Sequence, residues 1–269
     1  MIDKGYEFFR NGGEIKMATV QSIERAFMIL EYLSEHPNGM QITKLATETK
    51  LSKSTVHRLL STLIELQYVR KDSETDRYYL SYRTLYLTRN ILSNSSLITV
   101  ARPLLENLVK EINETVHLCV EENEEVVYVD KIESNQTIRM YSRIGSRAPM
   151  YCTGVGKMML SGKDEHTLNE IISRIRFTKR TNYTILTPTD LLHEISNIRK
   201  NGYSLDNIEN EEGIRCIAAP IYDFSGKIIA SFSISGPSTR VTMDRIENEL
   251  AKKILNTSRA ISSRLGYVQ

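Results

Sequence analysis

The chain has 269 residues, with 35 Lys and Arg against 33 Asp and Glu, 41% hydrophobic residues and a formal net charge of +2. That length holds two domains with full cores, and no apolar run approaches the roughly 20 residues that span a bilayer. The start, Met1-Ile2-Asp3-Lys4-Gly5-Tyr6-Glu7, lacks the apolar stretch of a signal peptide, so no membrane partner is expected and the default compartment is the cytoplasm.

Residues 1–16 form an extra N-terminal segment. Codons for Gly12-Gly13-Glu14 can spell a purine-rich ribosome-binding sequence just ahead of Met17. The expectation is a segment that is not translated in the cell, or is disordered, because Asn11-Gly12-Gly13 breaks any helix.

From Met17 the spacing of Ile23, Ala26, Phe27, Leu30 and Leu33 predicts an amphipathic helix, stopped by Pro37-Asn38-Gly39. A second helix follows with Thr43 as N-cap and Leu45 and Ala46 inward, and Thr49-Lys50-Leu51 makes a tight turn. Ser52 then caps a third helix, whose buried stripe is Val56, Leu59, Leu60, Leu63 and Ile64. Its opposite stripe is Ser54, Thr55, His57, Arg58, Ser61 and Thr62. A helix with that outer face fits the major groove, where Arg pairs with guanine and short hydroxyls approach bases or phosphates. Two short β runs around Asp72-Ser73-Glu74-Thr75-Asp76 predict a hairpin wing, so 17–82 reads as a winged helix-turn-helix.

Net charge does not decide between a DNA reader and a small packing module, since 17–92 holds ten Lys and Arg against eight Asp and Glu. Placement decides it. Lys50, Lys53, Arg58, Arg70, Lys71 and Arg77 fall on the turn, the third helix and the wing, the surfaces that meet phosphate. The candidate DNA contacts are Arg25, Lys50, Ser52, Lys53, Ser54, Thr55, His57, Arg58, Thr62 and Arg77.

Residues 83–96 read as a linker helix ending in Ser93-Asn94-Ser95-Ser96. In 97–269, a helix over Leu97–Ile112 that contains Pro103 precedes strands at Val116–Val120, Val126–Ile132, Thr137–Tyr141, Cys216–Tyr222 and Lys227–Ser235. A helix begins at Thr187-Pro188-Thr189-Asp190 and ends at Asn201-Gly202. The last helix runs from Met243 to Leu265 on Ile246, Leu250, Ile254 and Ile261 and stops at Gly266. Antiparallel strands flanked by helices make an α+β sensor domain.

Four spots in this half carry polar groups that a plain core does not need. Gly154-Val155-Gly156-Lys157 opens an apolar helix and exposes N–H donors to an anion, although a glycine turn that only packs a helix on the sheet remains open. Asp206 hydrogen-bonds a ligand hydroxyl or caps locally. Cys216 opens a buried strand, where a free cysteine is usually a small hydrophobe. Alternation puts Ile228, Ala230, Phe232 and Ile234 on one face and Ile229, Ser231, Ser233 and Ser235 on the other, where the serines ask for solvent or a ligand. The five histidines sit singly in unrelated contexts, and the three cysteines are odd in number and widely spaced, as reduced thiols are. No catalytic order, metal-ligand spacing or cofactor motif stands out.

Taken in order, Ser22-Ile23-Glu24-Arg25-Ala26, Lys53-Ser54-Thr55-Val56-His57-Arg58-Leu59-Leu60, Gly154-Val155-Gly156-Lys157, Gly202-Tyr203-Ser204-Leu205-Asp206, Gly213-Ile214-Arg215-Cys216 and Ile234-Ser235-Gly236-Pro237 are strong together. From Met17 onward the chain resembles the IclR family of bacterial transcriptional regulators. The resemblance implies an N-terminal winged helix-turn-helix, a linker helix and a C-terminal GAF-like effector-binding domain. It also implies a palindromic double-stranded operator, a homodimer or dimer of dimers, and a small carboxylate effector, sugar-derived or aromatic. Carried over by motif, the effector contacts are Met140, Gly154, Val155, Asp206, Ile214, Cys216, Ser233 and Ser235, with Val155 standing where many relatives have Ala. The expected function is an effector-responsive regulator, a repressor of a catabolic operon. The competing class is a thiol-dependent GAF-like enzyme using Cys152 or Cys216, which needs a thiolate favoured by a cation or helix N-terminus.

Overall fold

The structure is a computed structural model that describes residues 20–87, 96–137 and 142–268. It divides into two compact units, Met1–Asn94 and Ser95–Gln269. The extra segment 1–16, most of the linker 83–96, Met140 and nearly all of the expected strand at Thr137–Tyr141 lie outside the described residues.

In the first unit, α1 (Gln21–Glu35), α2 (Ile42–Thr49) and α3 (Lys53–Glu65) pack with β1 (Met40–Gln41), β2 (Val69–Lys71) and β3 (Arg77–Leu80). The strands form an antiparallel sheet in the order β1-β3-β2. Ile29, Leu33, Met40, Leu45, Val56, Leu60, Leu63, Val69 and Tyr78 make one core. The wing is the β2–β3 hairpin, its turn held by the Asp72 carboxylate, which accepts the N–H groups of Glu74 and Thr75.

Three sequence expectations need correction here. Ile23 and Phe27 are exposed, at 55% and 57%, whereas Leu33 is buried and Ala26 and Leu30 pack against the core as expected, joined by the buried Ile29. Ile64 is also exposed, so the buried stripe of α3 is the narrower Val56, Leu60 and Leu63. Thr43 is not an N-cap: Gln41 holds that position without a side-chain bond. Met40 and Gln41 pair with Tyr78 and Arg77 in a strand too short for periodicity to reveal, and that pairing starts α2 earlier.

Among the described residues of the second unit a six-stranded antiparallel sheet has the order β6-β5-β4-β9-β8-β7. Its strands are β4 (Thr115–Glu122), β5 (Glu125–Ile132), β6 (Arg147–Pro149), β7 (Ser204–Asn207), β8 (Ile214–Tyr222) and β9 (Ile228–Pro237). The short strands β6 and β7 were not expected from the sequence. On one face lie α4 (Ser96–Ile112), α8 (Met243–Arg245) and α9 (Ala251–Arg264), the last two joined by a π-helical turn, Ile246–Leu250. Their core takes Leu118 from β4, Ile217, Ala219 and Ile221 from β8 and Ala230, Phe232 and Ile234 from β9. The other face carries α5 (Gly154–Ser161), α6 (Glu165–Arg174) and α7 (Pro188–Asn201), which pack with Cys119, Val126 and Ala218. Helix, sheet and helix layers make this a GAF-like α+β domain.

Local chemistry sets the helix ends. Thr187 accepts the Asp190 N–H at 3.1 Å and Gly202 closes α7 with φ of +75°, the arrangement Thr-Pro-x-Asp and Asn-Gly predict. Pro103 lies inside α4. The β8–β9 register shifts between Ile221 and Tyr222, pairing Tyr222 with Ile228. That shift turns Ile228 toward the α5 layer and leaves Ile229 40% exposed, against simple alternation.

Candidate DNA-reading surface and effector site

Lys50 ends α2 in the left-handed region, φ 54°, and so turns the chain sharply into α3. The Ser52 hydroxyl accepts the Thr55 N–H at 3.2 Å and lies 2.8 Å from the Thr55 hydroxyl and 3.0 Å from that of Ser54. Ser52 and the half-buried Thr55 are thus occupied with the cap, which fixes where the helix begins. Lys53, Ser54, His57, Arg58, Ser61 and Thr62 are exposed along one side of α3. Ser61 and Thr62 hydroxyls donate back to the carbonyls of His57 and Arg58, and Arg25 lies half-buried on α1.

Wing cations differ from one another. Arg70 stacks over the Tyr79 ring, 4.5 Å from its centroid, and Lys71 pairs with Asp76 at 2.6 Å with both side chains largely in solvent. Arg77 does not project freely. One of its terminal nitrogens donates to the carbonyls of Asn38 and Gly39 at 3.0 and 3.2 Å, clamping the wing to the turn after α1.

In the second unit, cross-strand register assembles most of the expected effector residues. Asp206 faces Cys216 and Cys216 faces Ser235, while Ser204 faces Ala218 and Ala218 faces Ser233. Ile214 shares the Cys216 side of β8. Onto this patch α5 sets its first turn: the Ser204 hydroxyl donates to the Gly154 carbonyl at 2.6 Å. A Cβ on Gly154 would lie 3.3 Å from the Asp206 nitrogen and 3.4 Å from the Ala218 Cβ. Thr153 caps α5 by accepting the Gly156 N–H at 3.2 Å, and the N–H groups of Gly154 and Val155 have no intrahelical acceptor. The Val155 side chain itself packs into the apolar core. Gly156 is a packing glycine, since a Cβ there would come within 2.4 Å of the Met150 Cα.

The serines of β9 are buried, at 0–4% exposure. Ser231 donates to the Ala219 carbonyl at 2.9 Å and is used up structurally. Ser233 and Ser235 meet each other at 3.1 Å.

The structure adds His117, which the sequence reading set aside as an isolated histidine. β4 pairs it with Ser233, and its ring lies 3.2 Å from the Ser235 hydroxyl and 2.6 Å from that of Ser142. Tyr128 meets it edge-on at 5.3 Å. Burial, with the nearby Lys131 charge, pushes the imidazole down to about 3, so it is neutral at ordinary pH. Its signal in the sequence was position, one strand period from Cys119 and Thr115.

A second missed group is Lys157, fully buried one turn into α5. Its ammonium donates to Glu209 at 2.5 Å, with Glu194 at 3.7 Å. A lysine directly ahead of the apolar run Met158-Met159-Leu160 was the signal for a buried partner. Glu209 also accepts the Asn207 N–H at 3.2 Å. Asp206 accepts the N–H groups of Glu209 and Asn210 at 2.7 and 3.3 Å, and burial beside Glu209 raises its carboxyl to about 7. All three thiols are pushed up by burial, Cys152 to about 12, the reverse of what a nucleophilic thiolate needs.

Buried hydroxyls and backbone donors beside a helix start suit a small polar metabolite, and the exposed α3 face suits a DNA groove. The family models agree: "Bacterial transcriptional regulator IclR C-terminal" matches residues 89–263 and "IclR helix-turn-helix domain" matches 22–73. The chain is similar to the HTH-type transcriptional regulator KdgR of Escherichia coli, with 37% identity over 93% of this chain and 94% of that protein. It is 30% identical to the transcriptional repressor IclR of the same organism, over 92% of this chain and 90% of the relative. Among solved structures the Thermotoga maritima IclR matches with a TM-score of 0.81 and 32% identity, over 92% of this chain and 99% of that one. This chain belongs to the IclR family: it is an effector-responsive, DNA-binding transcriptional regulator.

Proposed function

We propose that the protein is a repressor of a catabolic operon that binds a palindromic operator as a homodimer or dimer of dimers and is released or modulated by a small organic acid. Under this reading 17–82 reads DNA, 83–96 links, 97–269 senses the effector, and the protein acts in the cytoplasm without catalysing a reaction. The observation that carries it is the pairing of two surfaces: the Ser52-capped helix with its exposed Lys53, Ser54, His57 and Arg58, and the α5 start above Asp206, Cys216, Ser233 and Ser235.

Relatives named as repressors support the direction of control, among them the acetate operon repressor of Salmonella typhimurium, 31% identical over 92% of this chain and 90% of that protein. Raised thiols count against the alternative of a thiol enzyme. Arg25, Lys50, Thr55, Thr62 and Arg77 complete the DNA-facing set, with Ser52 and Arg77 acting through the backbone they hold. Ile214, Val155 and Met140 complete the effector set.

The test is footprinting on DNA upstream of the gene and its neighbours, with and without a panel of small acids. Protection of a two-fold symmetric site, lost on adding one acid, is the expected result. A Ser233→Ala, Ser235→Ala double variant keeps protection and loses the response. An unchanged midpoint in that variant overturns the effector site, and absence of any protected symmetric site overturns the operator reading.

A further inference from the structure

An anionic effector at the α5 start meets a neighbourhood that already holds too much negative charge. Asp206 and Glu209 are buried, at 3% and 6% exposure; Glu209 pairs with the fully buried Lys157, whose charge also acts on Asp206. The second Glu209 oxygen has no partner among the described residues. From α7, Glu194 reaches the same ammonium. Cys216 of β8, Cys152 ahead of α5 and Tyr128 of β5 also face Asp206, and burial keeps all three neutral. Glu211 and Arg180 stand exposed at the rim, where the Arg180 guanidinium donates to the Asn210 carbonyl at 3.1 Å. Charges at that rim are screened by water and do not balance the buried set.

A second buried carboxylate placed beside Asp206 forces one of the two to hold a proton. The geometry selects the oxygen: Oδ1 of Asp206 already accepts two backbone N–H groups, which leaves Oδ2 to carry it.

We propose, resting on the effector reading above, that Asp206 enters the complex as a neutral carboxylic acid whose Oδ2–H donates to the effector carboxylate, so that binding takes up one proton from solution. The carboxylate then sits between the Gly154 and Val155 N–H groups and the Asp206 hydroxyl, a set of donors that selects an acceptor oxygen and rejects ammonium and guanidinium groups. Ser233, Ser235 and neutral His117 are left for uncharged oxygens elsewhere on the ligand. Burial raises Asp206 to about 7 in the apo protein, so the uptake is partial at pH 7 and approaches one proton well above it.

An asparagine separates donor from acceptor. Asp206→Asn retains an oxygen for the two backbone N–H groups and presents an N–H donor in place of Oδ2–H, whereas Asp206→Ala presents neither.

The test uses the full-length protein with glycolate, lactate, gluconate and benzoate as probes, screened by thermal shift at pH 6. The acid that stabilises it is followed by calorimetry in buffers of different ionisation enthalpy. The expected result is uptake of about one proton per acid bound at pH 8.5, with affinity falling roughly tenfold per pH unit above the Asp206 titration. Asp206→Asn binds within a few-fold of the wild type at pH 6 and loses the pH dependence, and Asp206→Ala binds at least about tenfold more weakly. Binding without proton uptake, or an Asn variant as weak as the Ala variant, overturns the proposal while the effector site stands. If no probe stabilises the protein, the effector reading falls and this inference falls with it.

Discussion

Lys157 of α5 and Glu209 of the β7–β8 connection meet at 2.5 Å with the lysine wholly out of solvent, tying the helix whose first turn faces Asp206 to the strand that carries Asp206. Removing one partner leaves an uncompensated buried charge, which typically costs about 3–5 kcal/mol. Lys157→Met therefore lowers the urea midpoint of the effector unit strongly. The double variant Lys157→Met, Glu209→Leu recovers most of that loss, because well-packed apolar replacements of a buried pair are commonly near neutral. A double variant no more stable than the single one contradicts this account.

The two glycines of α5 separate packing from ligand access. At Gly156 an added Cβ meets the backbone of Met150 at 2.4 Å, and backbone cannot step aside. Gly156→Ala is expected to cost about 1–3 kcal/mol, as overpacking does, measured by denaturant unfolding. At Gly154 the nearest atoms are at 3.3–3.5 Å, so Gly154→Ala leaves stability closer to wild type. Its methyl group lies on the Asp206 side, and its larger effect is expected on effector affinity.

How far the sequence could be read follows from the range of each interaction. The cap at Ser52, the Thr187-Pro188 helix start, the Gly202 and Gly266 stops and the apolar stripe of the last helix are local, and each was legible. The recognition helix and the Gly154, Asp206, Cys216 and Ser235 set came from motif order as much as from residue chemistry. What stayed hidden was non-local. β1 pairs two residues across nearly forty positions, and nothing in Met40-Gln41 announces it. The exposure of Ile23 and Phe27 depends on which face of α1 meets α2 and α3. His117 gains meaning only when β4 lies beside β9, and the Glu209 partner of Lys157 is 52 residues away.

On the DNA-facing unit the cations divide by what they touch. Arg58 and Lys53 are exposed on α3, so Arg58→Ala is expected to lose roughly 1–3 kcal/mol of operator affinity and relax the sequence preference, as for a base-reading arginine. Lys53→Ala weakens binding to all sequences and lowers the salt dependence. Mobility shifts at two salt concentrations distinguish them, and unchanged affinity in both variants removes α3 as the reading helix. Arg77→Ala frees the carbonyls of Asn38 and Gly39, so its expected signature is a lower melting temperature of the DNA-binding unit together with weaker DNA binding.

Two buried groups of the proposed effector site pull the pH dependence of stability in opposite directions. His117 titrates at about 3 folded against 6.5 unfolded, so the unfolded chain takes up a proton that the folded chain refuses. Its contribution is complete above pH 6.5 and is lost as the pH falls toward 3. Asp206 titrates at about 7 folded against 3.8 unfolded, so the folded chain holds the extra proton, and that contribution is present below pH 3.8 and lost as the pH rises through 7. Between about pH 4 and 6.5 the two slopes oppose, and the wild-type melting temperature should change little there. His117→Gln removes the first slope and exposes a fall in stability from pH 4 to 7. Asp206→Asn removes the second and exposes a rise over the same interval. Melting curves of the three proteins across pH 4–8 decide it: variants that both parallel the wild type would show that neither group is buried in the state the structure describes.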